Sequence, residues 1–194
     1  MTRSGERKTQ ILQTLAQMLE GPSAERITTA ALAAKIGVSE AALYRHFRGK
    51  ADMFAGLIDF IEDTLFTLIN RITSEEQGGL RQAEAIIGML LGFSQKNRGI
   101  TRVLTGDALV TEDDALQARV NQIHDRVEAA LKQALRIAAS RGETAPDVDA
   151  AAQANLLMSF VAGRWHQYAK SGFRRDPAEH WPLQWKQLTA GVAA

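Results

Sequence analysis

Apolar residues recur every three or four positions along almost the whole chain, and this spacing restricts the chain to packed helices. Ile11, Leu15 and Leu19 follow it near the start, and a longer series runs through residues 53–72. Residues at these intervals line one face of an α-helix. No segment shows the sustained alternation of apolar and polar residues that is typical of a half-buried strand. The sequence therefore predicts an all-α fold.

Glycine, proline and capping residues divide this pattern into about nine helices. Three helices, the second of them short, occupy the first 47 residues, and a long one runs from Lys50 to about Glu76. Further helices are predicted around 80–97, after Gly99, around 111–140 and over 148–171. The last helix is expected to start at Asp176-Pro177, because proline is tolerated in a first helical turn.

Composition excludes several functional classes. The chain has 194 residues and no cysteine, which rules out disulfides and thiolate metal sites. Its longest apolar runs, 85–93 and 156–163, are far shorter than the roughly 20 residues of a membrane span. No histidine-rich metal motif, phosphate-binding loop or nucleophile elbow is present. These observations predict a cytoplasmic, non-enzymatic protein without a metal, a cofactor or a membrane anchor.

The charges are distributed unevenly along the chain. Residues 1–55 carry eight basic and five acidic side chains, whereas the remainder carries fifteen basic and seventeen acidic ones. A basic N-terminal part on a mildly acidic body permits a polyanionic partner at one end.

The segment 28–50 has the layout of a helix-turn-helix. Thr28 or Thr29 can cap a short helix that ends at Gly37, and Ser39 can cap the next one. Glycine accepts the left-handed backbone that such a tight turn requires. Leu43 and Phe47 are four residues apart and are therefore expected to point inward. The spacing predicts two helices joined by a tight turn.

The outward side of the second helix suits contact with DNA. Ala41 and Ala42 are small enough to let a helix enter the major groove, and alanine can touch a thymine methyl group. Tyr44, His46 and Lys50 are placed to reach phosphates. A merely solvated, capped helix end is the alternative, but the turn, both caps and the inward pair coincide here.

The segment "TTAALAAKIGVSEAALYRHFRGKADMF" (28–54) resembles the DNA-binding head of the TetR family. That resemblance implies a homodimer that binds palindromic double-stranded DNA, with a head in residues 1–54 and a helical dimerisation body in 55–194. The last two long helices would form the dimer interface. The DNA-binding residues expected from the layout and the resemblance are Thr28, Thr29, Ser39, Ala41, Ala42, Tyr44, Arg45, His46 and Lys50.

Residues 26–72 and 90–109 resemble one branch of that family, the nucleoid occlusion factors. The resemblance implies a protein that occupies chromosomal sites and inhibits assembly of the division protein FtsZ over the nucleoid. On matching positions, the implied FtsZ-binding residues are Phe60, Gly92, Lys96 and Asn97.

Other interpretations of these residues stay open. Phe60 can belong to the core of its helix, and the spacing of Gly88 and Gly92 is typical of close helix packing. Trp165, Trp181 and Trp185 fit core or dimer packing better than a ligand cage. The alternative function is a ligand-responsive repressor with a small-molecule pocket in residues 55–175.

Overall fold

The computed structural model describes residues 3–21, 27–110 and 112–192 of the chain. Within these residues the fold contains no β-strand, which confirms the predicted all-α class. The described residues form nine helices: α1 (Arg3–Leu19), α2 (Thr29–Ile36), α3 (Glu40–Tyr44), α4 (Lys50–Glu75), α5 (Gly79–Lys96), α6 (Arg98–Leu104), α7 (Asp114–Ser140), α8 (Ala150–Lys170) and α9 (Trp181–Leu188).

The chain divides into two compact units. The first unit comprises residues 1–62 and 97–120, and the second comprises residues 63–96 and 121–194. Helices α4 and α7 each contribute residues to both. The predicted boundary between head and body, after residue 54, stays a prediction.

The core of the first unit is built around the apolar face of α1. Ile11, Leu15 and Leu19 are buried, and α1 packs against α2 and α6. Gly99 in α6 permits this packing, because a Cβ atom there would overlap the carbonyl oxygen of Ala16. A helix backbone can approach another this closely only where the side chain is a hydrogen atom.

The second unit is centred on Trp165, which is completely buried in α8. Its indole Nε1 donates to the Leu90 carbonyl over 3.3 Å, and the Tyr168 hydroxyl donates to the Gln95 carbonyl over 3.1 Å. Both bonds join α8 to α5. A buried tryptophan needs such an acceptor for its N–H group, so this residue belongs to the core, as the sequence indicated.

The last helix begins later than the sequence predicted. It starts at Trp181 and not at Asp176-Pro177. The Arg164 guanidinium takes the backbone carbonyls of residues 176, 177 and 179 as acceptors, over 2.7 to 3.2 Å. These bonds occupy carbonyls that a continuous helix would pair with its own amides, and the Asp176 carbonyl also accepts from the Glu179 amide over 3.2 Å in a tight turn. His180 then adopts a left-handed backbone with φ of 66° before the helix begins.

Helix α7 also differs slightly at its start. It was expected from about residue 111, and it begins at Asp114, while Thr111 lies outside the described residues. Among the residues that the structure describes, no helix combines the length and apolar composition of a membrane span.

Candidate nucleic-acid interface

Side-chain caps start both helices of the helix-turn-helix. The Thr28 hydroxyl accepts a hydrogen bond from the Ala31 amide over 3.1 Å, and the Ser39 hydroxyl accepts one from the Ala42 amide over 3.2 Å. Both residues have extended backbone dihedrals, as N-caps do. The geometry identifies Thr28, not Thr29, as the cap of α2.

The turn between the helices depends on Gly37. Its φ of 77° lies in the left-handed region, which glycine adopts without strain. The amides of Gly37 and Val38 donate to carbonyls of the last turn of α2, over 3.1 and 3.0 Å. The turn is therefore closed by backbone bonds as well as by the two caps.

Helix α3 is held by its inward residues. Leu43 is fully buried and Phe47 is nearly so. The helix itself ends at Tyr44, three residues before the predicted end. The Asp52 carboxylate accepts from the Arg48 amide over 2.9 Å, so the chain between Tyr44 and Lys50 is shaped by the start of α4. Phe47 still reaches the core from this turn.

The opposite side of α3 faces away from the core of its unit. Ala41, Tyr44 and Arg45 are exposed, and Ala42 and His46 are half-buried. Tyr44 is 47% exposed, which is a large fraction for an aromatic side chain. Thr28 and Ser39, the N-caps of the two helices, are exposed as well. We refer to residues 28, 29, 39, 41, 42 and 44–46 as the α2–α3 surface.

A hydrogen-bond bridge that the sequence did not reveal lies on this surface. The Thr29 hydroxyl donates to the Glu40 carboxylate over 2.8 Å and lies 3.3 Å from the Tyr44 hydroxyl. These three side chains connect α2 to α3. Thr29 therefore has a second partner besides any phosphate, and Glu40 has a defined structural role.

Lys50 lies at the first position of α4 and is already paired. Its ammonium lies 2.5 Å from the Glu112 carboxylate and 5.7 Å from the centre of the Phe54 ring. The side chains of Lys50 and Glu112 are 30% and 9% exposed. Because these residues are 62 positions apart, helical spacing gave no sign of the pair.

Arg119 makes a second long-range connection in the first unit. Its guanidinium binds the carboxylate of Asp59 over 2.5 Å, lies 3.6 Å from that of Glu62, and donates to the Ala55 carbonyl. It therefore holds the start of α7 along α4. Sequence reasoning missed Arg119 because its partners lie about sixty residues earlier.

The residues implied in FtsZ binding lie in separate parts of the chain. Phe60 and Asn97 belong to the first unit, and Gly92 and Lys96 belong to the second. Phe60 is 47% exposed, so it does not belong to the buried stripe of α4. Lys96 is exposed, and Asn97 is half-buried at the N-cap of α6 without a side-chain cap bond.

The two glycines of α5 have different surroundings. A Cβ atom on Gly88 would lie 3.1 Å from the Trp181 indole nitrogen, whereas one on Gly92 would meet nothing within 4 Å. Gly88 therefore has the packing role that its spacing suggested. Gly92 has room beside it and is available for contact.

The second unit carries an open surface groove of about 390 Å³. Residues of α5, including Arg81, Glu84 and Met89, line it together with Glu76 and Trp181. The interior of the same unit is occupied by Trp165 and its neighbours. The groove is thus a shallow exterior feature and not an enclosed chamber for a small molecule.

Two protein-family models match the chain. Residues 11–57 match the model of bacterial regulatory proteins of the tetR family, and residues 77–192 match the SlmA-like model of tetracyclin repressor-like C-terminal domains.

Curated relatives cover nearly the full chain. The Nucleoid occlusion factor SlmA of Idiomarina loihiensis is 52% identical over 182 residues, 94% of this chain and 93% of that protein. The SlmA protein of Marinomonas sp. is 49% identical over 190 residues, 98% of this chain and 96% of that protein.

Solved structures share the fold at low identity. A TetR transcription regulator from Haloarcula marismortui superposes with a TM-score of 0.83 at 17% identity, covering 98% of this chain and 100% of that one. A TetR-family regulator from Agrobacterium tumefaciens gives 0.82 at 17% identity, covering 99% and 100%.

A capped helix-turn-helix followed by further helices, together with the matches to both family models, identifies the chain as a DNA-binding regulator. The chain belongs to the TetR family and, within it, to the group of SlmA nucleoid occlusion factors.

Proposed function

We propose that this protein binds double-stranded DNA as a homodimer and inhibits FtsZ assembly over the chromosome. The observation that carries the proposal is the identity of about one half to SlmA proteins over more than nine-tenths of both chains. The intact geometry of the helix-turn-helix supports its DNA-binding part. On this proposal the protein resides in the cytoplasm on the nucleoid, and it acts by binding rather than by catalysis.

Residues of the α2–α3 surface would make two kinds of contact with DNA. Thr28, Tyr44 and His46 would contact phosphates and set the register of the head on the duplex, while Ala41 and Ala42 would face base edges. Arg45 is exposed and lies next to Tyr44, so it can serve either role. The position of Ser39 at the start of α3 would bring its hydroxyl near the backbone of the DNA.

The resemblance implies an interface on the last two long helices, α7 and α8, and we extend it from α8 to the short α9, because both α8 and α9 carry exposed apolar residues. Leu156 in α8 is 48% exposed, and Leu183 in α9 is 60% exposed. A Cβ atom on Gly163 of α8 would meet nothing within 4 Å, so a second chain has room to approach that helix closely. Burial of such side chains in a two-fold interface removes apolar surface from water. A dimer of this kind would read a palindromic site.

FtsZ would contact the exposed residues of α4, α5 and the start of α6. Phe60 offers an aromatic anchor, of the type enriched in interfaces. Lys96 offers a positive charge toward the acidic tail peptide that FtsZ-type proteins carry. Lysine there provides a point charge instead of the planar fork of arginine, so the contact would be less directional.

The proposal is tested by mapping the occupancy of the protein across its own chromosome. Tyr44→Ala and Phe60→Ala form a matched pair, because each removes an aromatic side chain that is 47% exposed. We expect many sites over most of the chromosome, few near the replication terminus, loss of occupancy with Tyr44→Ala, and unchanged occupancy with Phe60→Ala.

Occupancy restricted to a few promoters would overturn the nucleoid occlusion proposal. That result would instead support a ligand-responsive repressor. Equal occupancy by the parent and Tyr44→Ala would remove Tyr44 from the DNA interface and leave the occlusion proposal in place.

A further inference from the structure

The loop between α6 and α7, described over residues 105–110 and 112–113, is anchored at several points. Gly106 has a φ of 80°, and a Cβ atom there would lie 2.5 Å from the Gln117 side-chain oxygen. Leu109 is buried, and its carbonyl accepts from the Glu112 amide over 2.9 Å. Asp113 then caps the start of α7 by accepting from the Ala115 amide over 2.9 Å. The backbone of Glu112 therefore has a defined position.

This loop places the Glu112 carboxylate beside Lys50, which is expected to contact a DNA phosphate. The Lys50 ammonium lies 2.5 Å from the Glu112 carboxylate, and the Glu112 side chain is only 9% exposed. Charges that are shielded from water in this way are screened weakly by salt. A DNA phosphate that approaches Lys50 therefore meets a cation whose charge is largely compensated.

We propose that Glu112 is an electrostatic brake on DNA binding, which reduces the contribution of Lys50 to phosphate affinity. The inference rests on the proposed DNA-binding function. A lysine ammonium has three donors, so Lys50 can turn one toward a phosphate while another stays on Glu112. Whether the lysine shares its donors or releases the carboxylate, the negative charge of Glu112 opposes the approach of the phosphate.

If Glu112 weakens the phosphate contact of Lys50, neutralising Glu112 should change the salt dependence of DNA binding. Each phosphate that a cation fully neutralises contributes about −0.9 to the slope of log K against log[salt]. Glu112→Gln removes the charge and keeps the size of the side chain. We expect it to steepen the slope by up to about one unit per protomer and to tighten binding at least about threefold at ~0.1 M salt.

Asp113→Asn is the matched control for Glu112→Gln. It removes one negative charge at the next position, and asparagine preserves the capping acceptor of α7. Asp113 is exposed, unlike Glu112, so its charge is screened by water and salt. We expect Asp113→Asn to bind DNA with the slope of the parent. A general change in net charge would instead affect both variants equally.

A double variant tests whether Glu112 acts through Lys50. In the Glu112→Gln variant the Lys50 ammonium no longer has a carboxylate partner at residue 112, and the additional change Lys50→Gln removes that ammonium. The slope should then return to that of the parent or become shallower. Glu112→Ala supplies a second neutral variant if Glu112→Gln fails to fold, and circular dichroism with light scattering checks folding and dimerisation of each protein.

The measurement is a salt titration of binding to two labelled duplexes, one taken from an occupied chromosomal site and one of random sequence. Tighter binding and a steeper slope for Glu112→Gln, with no change for Asp113→Asn, support the brake. Binding by Glu112→Gln that equals or falls below that of the parent overturns it and leaves the proposed function intact. If the folded parent binds neither duplex, both the proposed function and the brake are overturned.

Discussion

The hydroxyl of Thr29 donates a hydrogen bond to the carboxylate of Glu40 over 2.8 Å, and this bond joins the two helices of the DNA-binding motif. The Tyr44 hydroxyl lies 3.3 Å from the same oxygen of Thr29. The orientation of α3 therefore depends on a side chain of α2 as well as on the buried Leu43. A helix that contacts bases in the major groove must keep a fixed orientation relative to the rest of the DNA-binding motif. We therefore expect this bridge to affect DNA affinity.

Thr29→Val removes the hydroxyl and keeps the shape of the side chain. We expect DNA affinity to fall about two- to tenfold, because one hydrogen bond contributes roughly 0.5–1.5 kcal/mol. Fluorescence anisotropy with a labelled duplex measures this change. Thr67→Val, on an exposed position of α4, is the control and should bind as the parent does. Equal affinity for Thr29→Val and the control would show that the bridge does not orient α3.

Thr28→Ala tests the cap of α2. Loss of the hydroxyl that accepts from the Ala31 amide should destabilise the protein by about 1 kcal/mol and weaken DNA binding, while the dimer persists. Chemical denaturation measures the loss of stability, and fluorescence anisotropy measures the loss of DNA affinity. Thr28→Ser keeps the hydroxyl and should restore both. Unchanged DNA affinity for Thr28→Ala at matched salt would contradict a role in phosphate contact.

Gly99→Ala tests the close approach of α6 to α1. A methyl group there overlaps the Ala16 carbonyl, so we expect the free energy of unfolding to fall by at least about 2 kcal/mol. Gly92→Ala is the same substitution in α5 where the added methyl group has open space. It should keep or raise stability, by up to about 1 kcal/mol, because alanine favours helices. Equal stability of the two variants would contradict the packing described here.

Asp149 gives the protein a pH-dependent cap on α8. The amides of Ala152 and Ala151, which donate to its carboxylate, lower the pKa of Asp149 below its ordinary value of 3.8, and Lys132 adds a smaller effect. Because the pKa is lower in the folded state, the contribution to stability is complete above the unfolded pKa. It is lost as the pH falls through the folded pKa.

The test of this cap compares Asp149→Asn with the parent across pH. The stability difference between them should be constant above about pH 5 and should shrink as the pH falls below the ordinary pKa of the carboxyl group. Thermal unfolding at a series of pH values measures it. Asp147→Asn, on a nearby exposed residue, is the control. A difference that stays the same down to about pH 3 would show that the folded-state pKa is not lowered.

Local patterns predicted most of the helices and the outline of the candidate DNA surface. The caps at Thr28 and Ser39, the turn at Gly37 and the inward position of Leu43 depend on neighbours within four residues, and such relations can be read along a chain. The exposure of Phe60 required the structure, because its position beside an apolar stripe was compatible with either environment.

Long-range partners were not predictable in this way. Glu112 and Arg119 bind side chains about sixty residues away, and no spacing rule connects such positions. The late start of α9 also depends on a residue of another helix, although a nearer one: Arg164 in α8 donates to the carbonyls of Asp176 and Pro177, at the predicted helix start. A proline that would be tolerated in a first helical turn, such as Pro177, is therefore not enough to predict where a helix starts.

Inhibition of FtsZ by the DNA-bound protein can be measured by assembling purified FtsZ with this protein, with and without DNA from an occupied site. Sedimentation of FtsZ polymers in the presence of GTP is the readout, and Asn97→Ala is the partner-surface variant. We predict that the parent with DNA lowers the polymer yield, while Asn97→Ala binds the DNA equally well and inhibits less. FtsZ assembly that is unaffected by the DNA-bound parent would overturn the proposed nucleoid occlusion function.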